Sequence, residues 1–296
     1  MQWSVQAEDG RTVGEVLRRM VTEGAPVDGR VFLNGRPAEL EEPVDVGDHL
    51  TIYPRRPLTL IAPEVLAQRD GVVLVFKPAG LPAETTKLGE DSLVSALLSR
   101  FKGGRVHVAT RLDTMVSGVA VCCLGRDASR RVAAWREAGL IRRTYLAITV
   151  APDRPHSTEG IWDWPLGRQR DRGGRHIASP RAPRAKPART RYRVLGHADE
   201  GRLLELSPET GRMHQIRAHA AEAGLSLYGD GRYGGPTSLV DARGAVQAVT
   251  RLALHALRVE LPHLAAEVPA PDDILGWWSS LGGDAALLSR PDEASE

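Results

Sequence analysis

Aromatic residues make up only 5% of this 296-residue chain, so its interior must rely on Leu, Val, Ile and Ala. Cysteine is rarer still: Cys122 and Cys123 are the only two, adjacent in an apolar stretch. On a strand, neighbouring side chains point to opposite faces, which argues against a mutual disulfide or a shared metal. Two small buried apolar residues in a reducing cytoplasm are expected instead. No apolar run approaches the roughly 20 residues that cross a bilayer, and the N-terminus lacks the basic-then-apolar pattern of a signal peptide. No membrane association is therefore expected. A G-x-G-x-x-G after a strand and a glycine-lysine phosphate loop are both missing, so nucleotide cofactors have no sequence support. Net charge is small as well, a formal +2, which alone does not suggest nucleic acid.

What is present is an ordinary globular composition, 42% hydrophobic and 26% charged, with enough length for a substantial core. The distribution of charge says more than its sum. From Arg168 to Arg193 there are nine arginines and Lys186 against a single acid, Asp171, a net of +9. The rest of the chain is therefore net acidic. A block of this density, including Arg168, Arg170, Arg172, Arg175 and Lys186, is the electrostatic footprint of a polyanion-binding surface. A solvated loop whose arginines bind nothing is the plainer alternative. Gly173-Gly174, Pro180, Pro183 and Pro187 predict a long loop here.

Residues 1–54 read as a small separate module. Val13, Val16, Leu17 and Met20 have helical spacing, Asn34-Gly35 marks a tight turn, and Gly47-Asp48 marks a second turn before an alternating strand. Residues 55–70, opening with Arg55-Arg56-Pro57, read as linker and lead-in. The remainder, 71–290, is strand-rich. Strands are predicted at Val72–Phe76, Val119–Leu124, Thr144–Val150, Tyr192–Leu195, Leu203–Leu206 and Ala253–Leu261. Helices are predicted at Ser92–Arg100, Asp127–Glu137 and Met213–Ala223, the last stopped by Gly224. Helices scattered among strands, without regular alternation, predict an α+β domain on a large, mainly antiparallel mixed sheet with flanking helices.

Four segments could carry chemistry. Val75–Pro82 runs a strand into a Lys77-Pro78-Ala79-Gly80 turn, which alone is an ordinary turn. Ala109–Gly118 contains Arg111-Leu112-Asp113; if extended, it points Arg111 and Asp113 to one side and Leu112 to the other. By itself that is a surface ion pair. Tyr145 lies on a strand, on the face opposite Thr144 and Leu146, where a core or rim role is commonest. Glu209–His219 is the most specific segment, because Arg212, His214, Gln215, Arg217 and His219 are too polar for a core-facing helix start. A helix would put His214 and Arg217 on one face and Ile216 and Ala220 on the packing side. A metal pair from His214 and His219 is disfavoured by their i, i+5 spacing and by Arg217 between them.

Taken in order, these segments resemble the RluA family of pseudouridine synthases. That family carries a Lys-Pro-x-Gly turn, an Arg-Leu-Asp segment ending in Ser-Gly, a basic-x-Tyr-x-Ala strand and a G-R-x-H-Q-I-R-x-H helix. Gly229-Asp230-Gly231-Arg232-Tyr233-Gly234, Lys186–Thr190 and Leu254-His255-Ala256 match its further motifs. The stretch before them resembles an S4 RNA-binding domain, although a β-grasp-like module would produce the same turns. Two positions depart: Thr110 replaces the usual His before Arg-Leu-Asp, and Val116 replaces a Thr.

The resemblance implies isomerisation of uridine in ribosomal or transfer RNA to pseudouridine, by a monomer without metal or cofactor. It implies Asp113 as the catalytic carboxylate, Arg217 as its partner cation and Tyr145 against the target base. Arg111 would fill the gap left by a flipped uridine, while Arg212, His214 and Gln215 join the basic block in contacting RNA. The rivals are an RNA-binding protein with a decayed synthase domain, and a glycosidase-like hydrolase, for which no second carboxylate is convincingly placed.

Overall fold

The computed structural model describes residues 2–6, 9–22, 29–34, 36–54, 63–84, 92–102, 104–153, 156–170, 176–241 and 243–289. The chain divides into two compact units, residues 1–60 and 61–296.

The first unit contains β1 (Gln2–Ser4), α1 (Val13–Thr22), β2 (Gly29–Leu33), β3 (Arg36–Pro37) and β4 (His49–Pro54). Its antiparallel sheet has the order β1-β4-β2-β3. Val13 and Val16 of α1 pack with Val5, Leu33 and Leu50 as a small core. The two turns read from the sequence are tied together. Asn34 takes a left-handed φ of 50°, its amide donates to Asp48 Oδ1 at 2.7 Å, and its Oδ1 accepts from the His49 N–H at 2.9 Å. Gly35 and the expected linker residues Arg55, Arg56 and Pro57 lie outside the described residues.

The second unit runs β5 (Val65–Arg69), β6 (Val72–Lys77), α2 (Leu93–Arg100), β7 (Val106–Val108), β8 (Ser117–Leu124), α3 (Gly125–Glu137) and β9 (Arg142–Val150). It continues through β10 (Glu159–Trp162), β11 (Gly167–Arg170), β12 (His176–Ser179), β13 (Thr190–His197), β14 (Gly201–Pro208) and α4 (Gln215–Glu222). It closes with β15 (Ser238–Val240), β16 (Val246–Ala248), β17 (Leu254–Leu261), β18 (Leu264–Glu267), α5 (Asp272–Ser280) and α6 (Ala286–Ser289). Ten strands form one sheet along β10-β13-β14-β9-β17-β8-β6-β5, with β7 on β8 and β18 on β17. Only β17 with β8 is a parallel pairing; the others in this sheet are antiparallel. This is the mainly antiparallel mixed α+β sheet that the strand pattern predicts. Val65–Arg69, read as lead-in, is the edge strand β5, because it pairs with β6.

Alternation along the central strands divides the core into two layers. Cys122 packs on the face covered by Leu93 and Leu97 of α2, and Cys123 on the face covered by Ala128 and Val132 of α3. Both thiols are free and buried. Likewise, Tyr145 and Ala147 face Ile216 and Ala220 of α4, while Leu146 and Ile148 face Trp277 and Trp278 of α5. One face of the sheet thus carries α2 and α4, and the other carries α3 and α5. Because both faces are covered, β8 reads in sequence as a continuous apolar run.

The parallel seam pairs Ser117 with His255 and Gly118 with Ala256. Gly118 has φ 121°, and a Cβ there would stand 2.2 Å from the Ala256 carbonyl oxygen, so only glycine lets the two backbones approach. Below it, the Ser117 hydroxyl lies 2.9 Å from His255 Nδ1, and His255 Nε2 lies 3.1 Å from the Val268 carbonyl oxygen. A carbonyl can only accept, so Nε2 carries the proton and Nδ1 accepts from Ser117. Burial drives the imidazole pKa down to about 4 and keeps this histidine neutral.

The Arg168–Arg193 block is a long loop only in part. Its described residues form the β11–β12 hairpin, an irregular stretch over 180–189 that contains Pro180, Pro183 and Pro187, and the start of β13, while Gly173 and Gly174 lie outside the described residues. Thr190 and Tyr192 point inward, so Arg191 and Arg193 point outward. There Arg189 and Arg191 pair with Glu209 at 3.2 and 2.7 Å, and Arg193 with Glu205 at 3.2 Å. Arg181 grips Glu222 with two 2.8 Å bonds. The offsetting acids come from β14, the residue that follows it and α4, outside the block in sequence, so the local field is weaker than the linear count of charge implies.

Candidate active site

Asp113 sits in the turn between β7 and β8. Leu112 and Val116 anchor that turn in the core, Arg111 projects into solvent, and Asp113 remains partly exposed between them. The segment is a turn, closed by the Val116 N–H donating to the Asp113 carbonyl at 3.0 Å, and not the extended strand considered from sequence. Burial nevertheless separates Leu112 from its two polar neighbours.

The partner cation comes from α4. That helix begins at Gln215, two residues later than Met213, because His214 adopts left-handed φ 51° and ψ 27° at the cap. His214 and Arg217 are therefore brought together by a tight turn and not by a shared helix face. The polarity of the segment does not keep it out of the core either: every residue from Gln215 to Ala220 is buried. Each buried polar group has partners. Gln215 accepts from the Thr210 hydroxyl and the Arg212 N–H and donates to the Arg189 carbonyl and Thr190 Oγ1, all within 2.7–3.0 Å. His219 contacts Thr190 Oγ1 at 3.0 Å and the Trp164 carbonyl at 2.9 Å. Gln215, expected to contact RNA, is buried and fastens the turn before α4 to β13. Of the two imidazoles weighed as a metal pair, His219 is committed through both ring nitrogens.

Arg217 links two carboxylates. Its Nη1 lies 2.8 Å from Asp113 Oδ2, while Nε and Nη2 fork onto Asp230 Oδ2 and Oδ1 at 2.7 Å each. Burial works against the guanidinium charge. The hydrogen bonds and charge of Asp230, with Asp113, more than offset this and hold its pKa above the usual value. Asp230 is held by a turn with no room for side chains: a Cβ on Gly235 would stand 1.8 Å from the Leu227 carbonyl oxygen. Tyr233, three residues on, lays its ring against Arg217, with the guanidinium carbon 4.9 Å from the ring centre. The Tyr233 hydroxyl lies 2.9 Å from His214 Nδ1 and accepts from the Ala178 N–H at 2.7 Å. His214 Nε2 stands 3.9 Å from Asp113 Oδ2, beyond hydrogen-bond reach. Burial lowers the His214 pKa while Asp113 opposes that shift.

Tyr145, on β9, is buried in the same layer; burial raises its pKa, Arg143 lowers it, and the charge of Asp113 raises it again. Lys77 ends β6 without any exposure. Its ammonium donates to the carbonyls of Pro78, Leu81 and Thr114 at 2.8–3.1 Å, clamping the Lys-Pro turn to the Asp113 turn. Burial drives its pKa down to about 7 and Asp113 opposes this. Three carbonyl acceptors require three N–H donors, which only the charged form supplies.

The structure thus gathers Asp113, Arg217, His214 and Tyr145, and adds Lys77, Asp230 and Tyr233. Asp230 and Tyr233 were visible only inside the Gly229–Gly234 motif. Lys77 stands out in sequence only as part of the Lys-Pro-x-Gly turn, although a lysine ending a wholly apolar strand is a signal of burial. The remaining RNA-contact candidates lie outside this cluster. Arg111 pairs loosely with Glu84 at 3.5 Å, and Arg212 donates to the Pro187 carbonyl at 3.0 Å. Arg168, Arg170 and Lys186 are exposed, and Arg172 and Arg175 lie outside the described residues.

Residues 71–222 match the family described as RNA pseudouridylate synthase. Over 233 residues the chain is 34% identical to ribosomal large subunit pseudouridine synthase D of Nitrosomonas europaea, covering 76% of this chain and 64% of that protein. It therefore spans just under two thirds of that relative's length. Over 216 residues it is 35% identical to tRNA pseudouridine synthase C of Salmonella typhimurium, covering 68% of this chain and 80% of that one. Among solved structures, human RNA pseudouridylate synthase domain containing 4 aligns with a TM-score of 0.57 and 24% identity, over 75% of this chain and 94% of that chain. That likeness is one of fold.

Proposed function

Because this chain belongs to the RNA pseudouridylate synthase family, we propose that it converts particular uridines of structured ribosomal or transfer RNA to pseudouridine, with Asp113 as the reacting carboxylate. The observation that carries this reading is the chain Asp113–Arg217–Asp230, in which a buried guanidinium places a countercharge 2.8 Å from a carboxylate that solvent can still reach. The conversion breaks the bond from uracil N1 to the ribose, turns the base and rejoins it through C5. It adds and removes nothing overall, so the reading requires no cofactor or metal. Asp113 attacks the sugar or the base, or assists removal of a sugar proton. Tyr145 lies against the base, and after reattachment its hydroxyl oxygen takes the C5 proton as the hydroxyl passes its own proton to solvent, while N1 gains a proton in turn.

The target uridine leaves its stack, and Arg111, exposed two residues from Asp113, fills the space. Arg168 and Arg170 on β11, with Arg172, Arg175, Lys186 and Arg212, hold phosphates. The N-terminal unit acts as an S4-like RNA-binding module, and the protein works as a cytoplasmic monomer. Among the described residues no helix is long and apolar enough to cross a membrane. The test compares RNA from cells with and without the gene, mapping pseudouridine after carbodiimide treatment. Sites that vanish on deletion and return with the wild-type gene support the reading and identify the target. An unchanged map in ribosomal and transfer RNA contradicts it.

A further inference from the structure

The Tyr233 hydroxyl, outside the Asp113–Arg217–Asp230 chain, lies against Nδ1 of His214, the imidazole whose other nitrogen faces Asp113 without bonding to it. The Tyr233 oxygen already accepts the Ala178 N–H at 2.7 Å, and its second hydrogen bond among the described residues is to His214 Nδ1 at 2.9 Å. A phenol has one proton. If Nδ1 were the protonated nitrogen, the hydroxyl would accept twice and leave its own proton unbonded in a mostly buried position. The satisfied arrangement has Tyr233 donating to Nδ1, which puts the imidazole proton on Nε2. That Nε2–H stands 3.9 Å from Asp113 Oδ2, too far to bond it directly, so it is available to a third atom seated beside the carboxylate. The imidazole is held there by a left-handed backbone, φ 51°, which is costly for a residue with a Cβ and typical of functional sites.

We propose that Tyr233 is a positioning residue that fixes His214 as its Nε2–H tautomer, so that His214 donates to an oxygen of the target nucleotide seated next to Asp113. The inference rests on the reading of Asp113 as the reacting carboxylate. It also joins the basic hairpin to the site, because Ala178 belongs to β12. Burial keeps the imidazole neutral near pH 7, the state in which only one ring nitrogen is a donor and the tautomer matters.

The test uses the full chain labelled with 15N-histidine. Long-range proton–nitrogen spectra report the tautomer of each ring, with His214→Gln assigning the signal. Wild type is expected to show His214 as Nε2–H at neutral pH, and Tyr233→Phe, which keeps the ring over Arg217, to shift it to a mixture. With RNA, Tyr233→Phe should lower kcat about tenfold or more while KM stays within about twofold. In a His214→Ala background the same change should cost nothing further. His214→Gln, whose amide can place a donor near the Nε2 position, should retain more activity than His214→Ala. An Nδ1–H tautomer in wild type, or an equal loss from Tyr233→Phe with and without His214, would overturn the proposal. A wild type inactive on every RNA would refute the functional reading instead, and the tautomer would still decide the role of Tyr233.

Discussion

Asp230 grips Arg217 with both carboxylate oxygens at 2.7 Å, whereas Asp113 receives a single donor at 2.8 Å. The fork fixes the plane of the guanidinium, and the remaining Nη1–H then points at Asp113. Replacing Asp230 with Asn removes the buried countercharge but keeps the shape. Unfolding in urea should show a loss of about 3 kcal/mol, the usual cost of breaking a buried pair. Pseudouridine formation should fall further than the unfolded fraction explains, because Arg217 is no longer oriented.

Gly118 is a point of close backbone approach in the seam that joins β8 to β17. Gly118→Ala forces a Cβ into the Ala256 carbonyl, 2.2 Å away, at a φ of 121° that L side chains rarely adopt. A destabilisation of at least about 3 kcal/mol is expected from denaturant unfolding. A Tm unchanged from wild type would show that the seam can relax.

His255, locked between Ser117 and the Val268 carbonyl, should make the fold acid-sensitive. Its folded pKa of about 4 lies below the usual 6.5. The unfolded chain therefore binds more protons between these values, and stability is full above 6.5 and falls as pH drops towards 4. The shift corresponds to about 3 kcal/mol. Urea midpoints measured across this window should decline in wild type and decline less in His255→Asn, whose baseline will be lower.

The arginines of the basic block should not be equivalent. Arg168 is exposed on β11, while Arg191 is bound to Glu209 at 2.7 Å. Replacing Arg168 with Ser should reduce the slope of log affinity against log salt by about 0.8, as expected for one lost phosphate contact. Arg191→Ser should leave the slope unchanged. Equal effects from both variants would show that the Glu209 pairing opens on RNA binding.

What could be read from sequence followed period and apolar content. The long strands β8, β9, β14 and β17 announce themselves through their apolar runs, and α3 does so through Ala128 and Val132 four residues apart. Short polar strands such as β11, with the sequence Gly-Arg-Gln-Arg, carry no such signal, and their pairing is decided by a partner across the hairpin. At the site, Asp113 and Arg217 were named through motifs, but no local pattern shows that they meet. The contact spans 104 positions and depends on the sheet order β9-β17-β8. Lys77 and Gln215 misled for a common reason: sequence shows that a side chain is polar, and only the fold shows that its partners are internal carbonyls and hydroxyls.

The most direct measurement of the central claim is single-turnover pseudouridine formation by purified wild type and Asp113→Asn on RNA from cells lacking the gene. Asparagine preserves the size of the side chain and can still accept from Arg217, but it has no negative charge to deliver. The account predicts normal RNA binding with a rate reduced by at least about a thousandfold. An Asp113→Asn protein that forms pseudouridine at a rate close to wild type would contradict it.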